Sequence, residues 1–352
     1  MKSTFEINGR TVGKGQPCYV IAEAGVNHNC DVQLGYKLIE TAAAAGADAI
    51  KFQSYTAGKI STRVAPRYWV DAKDPDGTQW DTFDKLDKLS DRDFKALLGH
   101  AHHVGVTAFS TPFDDEAVDF LASLDVPAYK IASADLTCHG LIERAARVGR
   151  PMILSTGTAT LAEVEEGLEV CRRAGNEQVV LLHCTLKYPC PPEGINLRMM
   201  QHLMSAFPGV PVGLSDHSLG ISVPQAAVAL GACMVEKHYT VDKTLPGSPD
   251  HHLSVDTPDL AAMDVAPVGM ITVASRRGRI SLRARADDGT PRGAVFIPFC
   301  YYEAAANLLT NPVLDPFGKI PEFKYCSVRV SAGGVESETR GYGRASNSEV
   351  SA

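Results

Sequence analysis

The sequence lacks the marks of several large protein classes. No apolar run approaches the roughly 20 residues that cross a bilayer, so no membrane association is expected. The opening MKSTFEINGRTVGKG has no apolar core of the kind that directs secretion. Nine cysteines are scattered without a CxxC pair or matched spacing. That argues against a zinc fold or a disulfide framework and for reduced thiols in a cytoplasm. There is no GxGxxG, the phosphate-cradling turn of dinucleotide-binding sheets. A dense basic stretch is missing too: 34 Lys and Arg stand against 41 Asp and Glu, a net charge of −7. From Val268 onward eleven Lys and Arg outnumber eight Asp and Glu, which leaves the preceding chain at −10. Neither portion has the charge density of a nucleic-acid-binding surface. The run SRRGRISLRAR is read as the solvated face of one strand.

What the sequence does have is alternation. After FEINGRTVG, a hairpin with an Asn-Gly turn that could plug the bottom of a barrel, eight β-rich apolar runs follow: CYVIAEAG, DAIKFQSY, VTAFSTPF, AYKIAS, PMILSTG, VVLLHCT, PVGLSDHS and ACMVEKHY. Amphipathic stretches such as VQLGYKLIETAAAAGA, DRDFKALLGHAHHVG and TLAEVEEGLEVCRRAG separate them, several ending in the Gly that stops a helix. Eight βα repeats in 352 residues predict an α/β chain folded as a TIM barrel. A doubly wound open sheet is the alternative. The longest connection, residues 56–90, reads as a loop over the barrel mouth or as a packed surface excursion.

Hydrophilic residues close each run: Glu23; Lys51 and Gln53; Ser110 and Thr111; Lys130 and Ser133; Ser155 and Thr156; Thr185 and Tyr188; Ser215 and His217; Glu236 and His238. Spacing of two keeps Lys51 with Gln53, Ser215 with His217 and Glu236 with His238 on one face. Buried without partners these groups would be costly; at the C-terminal mouth of a barrel they face a ligand. Two lysines with several hydroxyls suit a multiply charged anion such as a phosphate with a carboxylate. His217 and His238, on neighbouring strands roughly 4.8 Å apart, could share one divalent cation of the Mn, Co or Zn type more readily than Mg. With only two protein ligands such an ion keeps open positions and acts as a Lewis acid. Glu23 and Asp250 are candidates for proton transfer or for binding sugar hydroxyls. His100, His102 and His103 are expected on the outer surface, His251 and His252 in solvent, and Lys237 on the face toward the helices.

IAEAGVNHN, IKFQSY, FSTPFD, YKIAS, ILSTG, LLHCT, GLSDHS and EKHYTVDKTLPGSPDH, in that order over residues 16–262, resemble the motifs of the sialic acid synthases, among them N-acetylneuraminate, legionaminate and pseudaminate synthases. The resemblance implies a metal-dependent condensation of phosphoenolpyruvate with an N-acylated aminohexose of the N-acetylmannosamine type, giving a nine-carbon 2-keto sugar acid and phosphate. It implies that His217 and His238 hold the metal, Mn²⁺ first and Mg²⁺ or Co²⁺ next. Lys51, Thr111, Lys130, Ser133, Ser155 and Ser215 would hold phosphoenolpyruvate, and Glu23, Gln53, Tyr188 and Asp250 would contact the sugar. Of these, Glu23, Lys51, Tyr188 and Asp250 are the expected catalytic residues. Two positions depart from the family pattern: Leu186 replaces an Asn, and GSPD carries one residue more than GPD before Asp250.

The family resemblance stops where a long last helix, a linker and a small antifreeze-like domain should follow, a domain that caps a partner's site and so allows a homodimer. Here TPDLAAM is cut short near Met263. Residues 264–331 instead resemble the end of the dinucleotide-binding portion of molybdopterin oxidoreductases, formate dehydrogenase large subunits especially, through PFCYYEAAANLLTN and KIPEFKYCSVRV. The expected organisation is a synthase barrel over 1–263, this fragment over 264–331 and a disordered tail over 332–352. Residues 268–330 are expected to cover the barrel seam as a structural patch. The alternative function is a non-catalytic or scaffold remnant of a synthase barrel.

Overall fold

The computed structural model describes residues 1–67, 76–263, 268–275, 278–284 and 329–332. The chain divides into two compact units, Met1–Asp264 and Val265–Ala352.

The first unit opens on the hairpin β1 (Thr4–Ile7) and β2 (Arg10–Gly13). Asn8 and Gly9 take φ of 49° and 80° at its turn, the left-handed pair that joins two twisted strands in two residues. Phe5, Ile7 and Val12 are buried in the main core. Asn8 Nδ2 donates to Thr107 Oγ1 at 3.2 Å and Lys2 N to the Glu177 carbonyl at 2.9 Å. Both partners lie at or before the start of barrel strands, so the hairpin covers the N-terminal end.

Eight parallel strands close the barrel: β3 (Tyr19–Gly25), β4 (Ala49–Ser54), β5 (Thr107–Pro112), β6 (Tyr129–Ile131), β7 (Met152–Ser155), β8 (Val179–Cys184), β9 (Val212–Asp216) and β10 (Met234–His238), with β10 pairing back onto β3. All seven residues of β3 and all six of β8 are buried, as expected of parallel strands covered on both faces. The doubly wound alternative is thereby excluded.

Side-chain caps start several of the helices. Ser90 and Asp93 form a capping box for Asp91–Val104, and Thr160 with Glu163 does the same for Leu161–Arg173. The 56–90 connection is not a plain loop. It holds helices Ala57–Ile60 and Gln79–Leu86, the second started by a Thr78–Asp81 capping box. Residues 68–75 lie outside the described residues.

Helix Thr257–Met263 takes the place of the eighth barrel helix, beside Val32–Ala44, and buries Leu260 and Met263. Tyr239, at the end of β10, ties both helices to the seam, with its hydroxyl 3.0 Å from Thr257 Oγ1 and also bonded to Thr41 Oγ1. Among the described residues, no helix is long and apolar enough to cross a membrane, and the seven cysteines are free thiols.

In the second unit β11 (Val268–Ser275) pairs antiparallel with β12 (Gly278–Ala284) and with β13 (Arg329–Ala332). The basic run SRRGRISLRAR supplies β12. Ala332, placed at the head of the tail by sequence, ends β13. Of residues 268–330, expected as a covering patch, those described form β11, β12 and the start of β13; the others, and the rest of the expected tail, lie outside the described residues.

Candidate active site

The strand ends converge on one buried polar cluster. Register places Glu23 between Lys51 on one side and His238 on the other, and Ser215 beside Glu236. Lys51 Nζ lies 2.6 Å from Glu23 Oε2 and donates to Thr111 Oγ1 at 2.9 Å. Gln53 Nε2 donates to Glu23 Oε1 at 3.0 Å. Lys51 and Lys130 approach Glu236 at 3.7 and 3.6 Å, while Ser215 Oγ donates to its Oε1 at 2.9 Å. Glu236 is thus the hub between the two lysines. The sequence placed it in the ring but gave it no role.

The electrostatics follow from burial. Burial would lower Lys51, but Glu23 and Glu236 outweigh it and hold the ammonium above the ordinary lysine value. Lys130 has less compensation: burial, with the Lys51 charge, pushes it down. Glu236 is pulled down against burial by Lys130, Lys51 and the Ser215 hydroxyl. Glu23 goes the other way. Burial raises it to about 7, with the Glu236 charge adding to the rise and Lys51 opposing it. Ser155 Oγ, Glu236 Oε2 and His238 Nδ1 are buried without a hydrogen-bond partner. Native interiors seldom leave such groups alone unless a ligand or ion completes them.

The raised Glu23 has a consequence for stability. Its folded value of about 7 exceeds the ordinary 4.5, so the folded chain holds this proton more tightly than the unfolded one. The penalty is absent below the unfolded value, grows as pH rises and is complete above the folded value. The ligand-free protein is therefore expected to lose stability through this residue as pH rises from 4.5 to 7. Thermal melts of Glu23→Gln across that range should give a flatter curve. A slope identical to that of the unsubstituted chain would show that Glu23 does not carry the effect.

The second half of the site is the histidine pair. The rings of His217 and His238 lie 5.4 Å apart between centroids and both residues are buried. His217 Nδ1 donates to the Thr185 carbonyl at 2.8 Å, which leaves Nε2 as the free lone pair. Burial lowers His217 to about 4 and His238 well below its ordinary value, so both are neutral and able to ligate. Tyr188 stacks on His217 with centroids 3.9 Å apart and faces His238 edge-on at 6.0 Å. Asp250 Oδ2 stands 3.7 Å from His238 Nδ1, and burial raises this carboxyl to about 6. Among the described residues no group of three or more His, Cys, Asp and Glu is set to hold an ion. The donor set fits a cation that takes two protein ligands and fills its other positions from substrate or water.

Ser133 Oγ accepts from Gly157 N at 2.9 Å. A Cβ at Gly157 would meet that hydroxyl and the Cys184 carbonyl, so only glycine lets the backbone in. Two expected members of the ring turn elsewhere: Ser110 Oγ pairs with Ser54 Oγ at 2.8 Å, and Thr156 Oγ1 donates to the Leu182 carbonyl at 3.1 Å. Leu186, which stands where the family pattern has an Asn, is exposed beyond β8. Adjacent residues on a strand point to opposite faces, which is why Thr111 is in the cradle and Ser110 is not.

His251 is not solvated as expected. It is buried, with Nδ1 2.8 Å from Thr240 Oγ1 and Nε2 3.2 Å from Asn29 Oδ1. Asn29 also accepts from Ser248 N at 2.9 Å and donates to the Pro246 carbonyl at 2.8 Å. Ser248 precedes Pro249 in the GSPD run, and its Oγ accepts from Asp250 N at 3.2 Å. This clip sets the loop that presents Asp250. His252, His102 and His103 are exposed, and His100 is half-buried against Tyr36 and Glu40.

Comparison with known proteins places this chain in a family. The model of the NeuB family matches residues 38–275, more than half of the chain. The chain belongs to the NeuB family. It is 45% identical over 246 residues to the N,N'-diacetyllegionaminic acid synthase of Campylobacter jejuni, covering 68% of this chain and 72% of that one. The corresponding Legionella pneumophila synthase is 40% identical, with 74% of each chain covered. A crystal structure of N-acetylneuraminic acid synthetase from Leptospira borgpetersenii, in complex with citrate, superposes with a TM-score of 0.66 at 34% identity and covers 75% of this chain and 87% of that one. A second family model, the molybdopterin dinucleotide binding domain, matches residues 235–327. That match overlaps the end of the NeuB match over residues 235–275 and agrees with the C-terminal resemblance read from the sequence.

Proposed function

We propose that the chain condenses phosphoenolpyruvate with an N-acylated aminohexose of the N-acetylmannosamine type, with the help of a divalent metal, to give a nine-carbon 2-keto sugar acid and phosphate. The observation that carries this reading is the joining, at one barrel mouth, of a two-lysine anion cradle to a neutral histidine pair. Relatives named as sialic and legionaminic acid synthases support it.

In this reading Lys51, Lys130, Thr111, Ser133, Ser155 and Ser215 hold the phosphate and carboxylate of phosphoenolpyruvate. The bound anion competes with Glu23 and Glu236 for the lysines. His217 and His238 would hold the cation, Mn²⁺ first and Co²⁺ or Mg²⁺ next, which when bound supplies Lewis-acid polarisation of the sugar aldehyde. Gln53, Tyr188 and Asp250 orient the open-chain sugar. Carbon 3 of the enolpyruvate forms the new bond to the aldehyde carbon, whose oxygen takes up a proton. Water adds at carbon 2 and loses one proton; as the bond from that carbon to the phosphate oxygen breaks, the new hydroxyl gives its remaining proton to the departing phosphate, leaving the ketone. Glu23, raised to about 7 by burial, is suited to exchange a proton near neutral pH.

The deciding experiment measures phosphate release from phosphoenolpyruvate after chelator treatment, with and without Mn²⁺ and N-acetylmannosamine. Release is expected only with both present, and a panel of acylated aminohexoses then ranks the substrate. No release with any of them would favour a non-catalytic barrel.

A further inference from the structure

Behind the two histidines, on the opposite face of the same strands, lies a fully buried ion pair. Asp216 and Lys237 are register partners of β9 and β10 and immediately precede His217 and His238 in the chain. Lys237 Nζ lies 2.6 Å from Asp216 Oδ2, and neither side chain has any solvent exposure. The same ammonium donates to the Ser218 carbonyl at 2.5 Å. Ser218 in turn donates to Asp216 twice, from Oγ to Oδ2 at 2.8 Å and from N to Oδ1 at 3.1 Å. The backbone is therefore held on both sides of His217, by Asp216 before it and Ser218 after it. The cation that completes this clamp sits one residue ahead of His238.

Stability alone is a poor reason for such a pair. Two charges taken out of water cost more than packed apolar residues of the same volume, and replacing both partners is often neutral or stabilising. What the pair supplies is register. Side chains alternate along a strand, so a slip of one residue would turn His217 and His238 outward and bring Asp216 and Lys237 into the mouth. With the clamp in place, such a slip strands a buried charge without its partner.

We propose that Asp216, Lys237 and Ser218 are positioning residues that fix the spacing of the two imidazoles, and so set the affinity of the cation site without touching substrate. This rests on the reading of His217 and His238 as the metal ligands.

The test uses the full chain and reads metal binding directly, as free Mn²⁺ by electron paramagnetic resonance, alongside thermal melting and steady-state kinetics. The double substitution Asp216→Asn with Lys237→Met removes both charges at nearly constant volume. It is expected to melt within a few degrees of the unsubstituted protein and to bind Mn²⁺ about 10- to 100-fold more weakly, the range seen when outer-shell support of a metal ligand is lost. It should lower kcat at fixed Mn²⁺ while leaving KM for phosphoenolpyruvate nearly unchanged. A folded double variant with unchanged Mn²⁺ affinity overturns the proposal. Should that variant not fold, Ser218→Ala removes only the hydroxyl bond to Asp216 and decides the matter: several-fold weaker Mn²⁺ binding supports positioning, and unchanged binding overturns it. His217→Ala and His238→Ala serve as references. If they bind Mn²⁺ as the unsubstituted chain does, the metal reading itself fails, an outcome distinct from failure of the clamp alone.

Discussion

His238→Ala, and equally His217→Ala, is expected to abolish metal-stimulated condensation while leaving the barrel folded. Neither ring carries the packing of its strand: the apolar residues of β9 and β10 do that, with Val212, Leu214, Met234 and Val235 buried in the core. His217→Ala gives up the hydrogen bond to the Thr185 carbonyl, worth about 1 kcal/mol, and His238→Ala gives up none that its Nδ1 makes within the protein. The cost to stability is therefore small. The cost to the reaction is large, because a group that stabilises charge developing in a transition state is worth about 10²- to 10³-fold in kcat. The assay is initial-rate phosphate release after chelation and re-addition of Mn²⁺, with the melting temperature as control. Full activity in either variant would remove the metal assignment.

Most of this site was legible because a barrel converts sequence into position in a simple way. Parity within a strand put Lys51 with Gln53, Ser215 with His217 and Glu236 with His238, and the structure keeps all three pairs at the mouth. Parity also predicted that Lys237 faces away from it, where it meets Asp216. What could not be read is distance across the barrel. Lys51, Lys130 and Glu236 come from β4, β6 and β10, and nothing local says that one carboxylate serves both ammonium groups. The burial of His251 was hidden for the same reason, since its partner Asn29 is 222 residues away. Asp250 was uncertain because GSPD departs from the family spacing, yet the Ser248 backbone amide and hydroxyl anchor the loop. Helix Gln79–Leu86 was a different kind of miss. Its signal, Thr78 followed three residues on by Asp81, was present in the sequence and was outweighed by the Asp- and Gly-rich composition around it.

The two lysines of the cradle should behave differently when removed. Lys51 is the closer partner of two buried carboxylates, 2.6 Å from Glu23 and 3.7 Å from Glu236. Lys51→Ala leaves those groups facing one another, with Lys130, 3.6 Å from Glu236, as the cation that remains beside them. Breaking one partner out of a buried pair typically costs about 3–5 kcal/mol, so this variant should lose stability as well as activity. Lys130 is bound less tightly, with Glu236 at 3.6 Å and the Ile131 carbonyl at 3.2 Å, and its removal leaves Glu236 held by Lys51 and Ser215. Its loss should therefore fall on the ligand. A charge-assisted hydrogen bond contributes about 1.5–3 kcal/mol, which corresponds to a rise of roughly 10- to 150-fold in KM for phosphoenolpyruvate. The KM for the aminohexose should move little, because Lys130 pairs with Glu236 and the Ile131 carbonyl, whereas the proposed sugar contacts are Gln53, Tyr188 and Asp250. Steady-state kinetics of Lys130→Ala, varying each substrate in turn, checks the asymmetry. Equal weakening of both substrates, with a fall in melting temperature to match Lys51→Ala, would show that Lys130 supports the barrel and does not hold the anion.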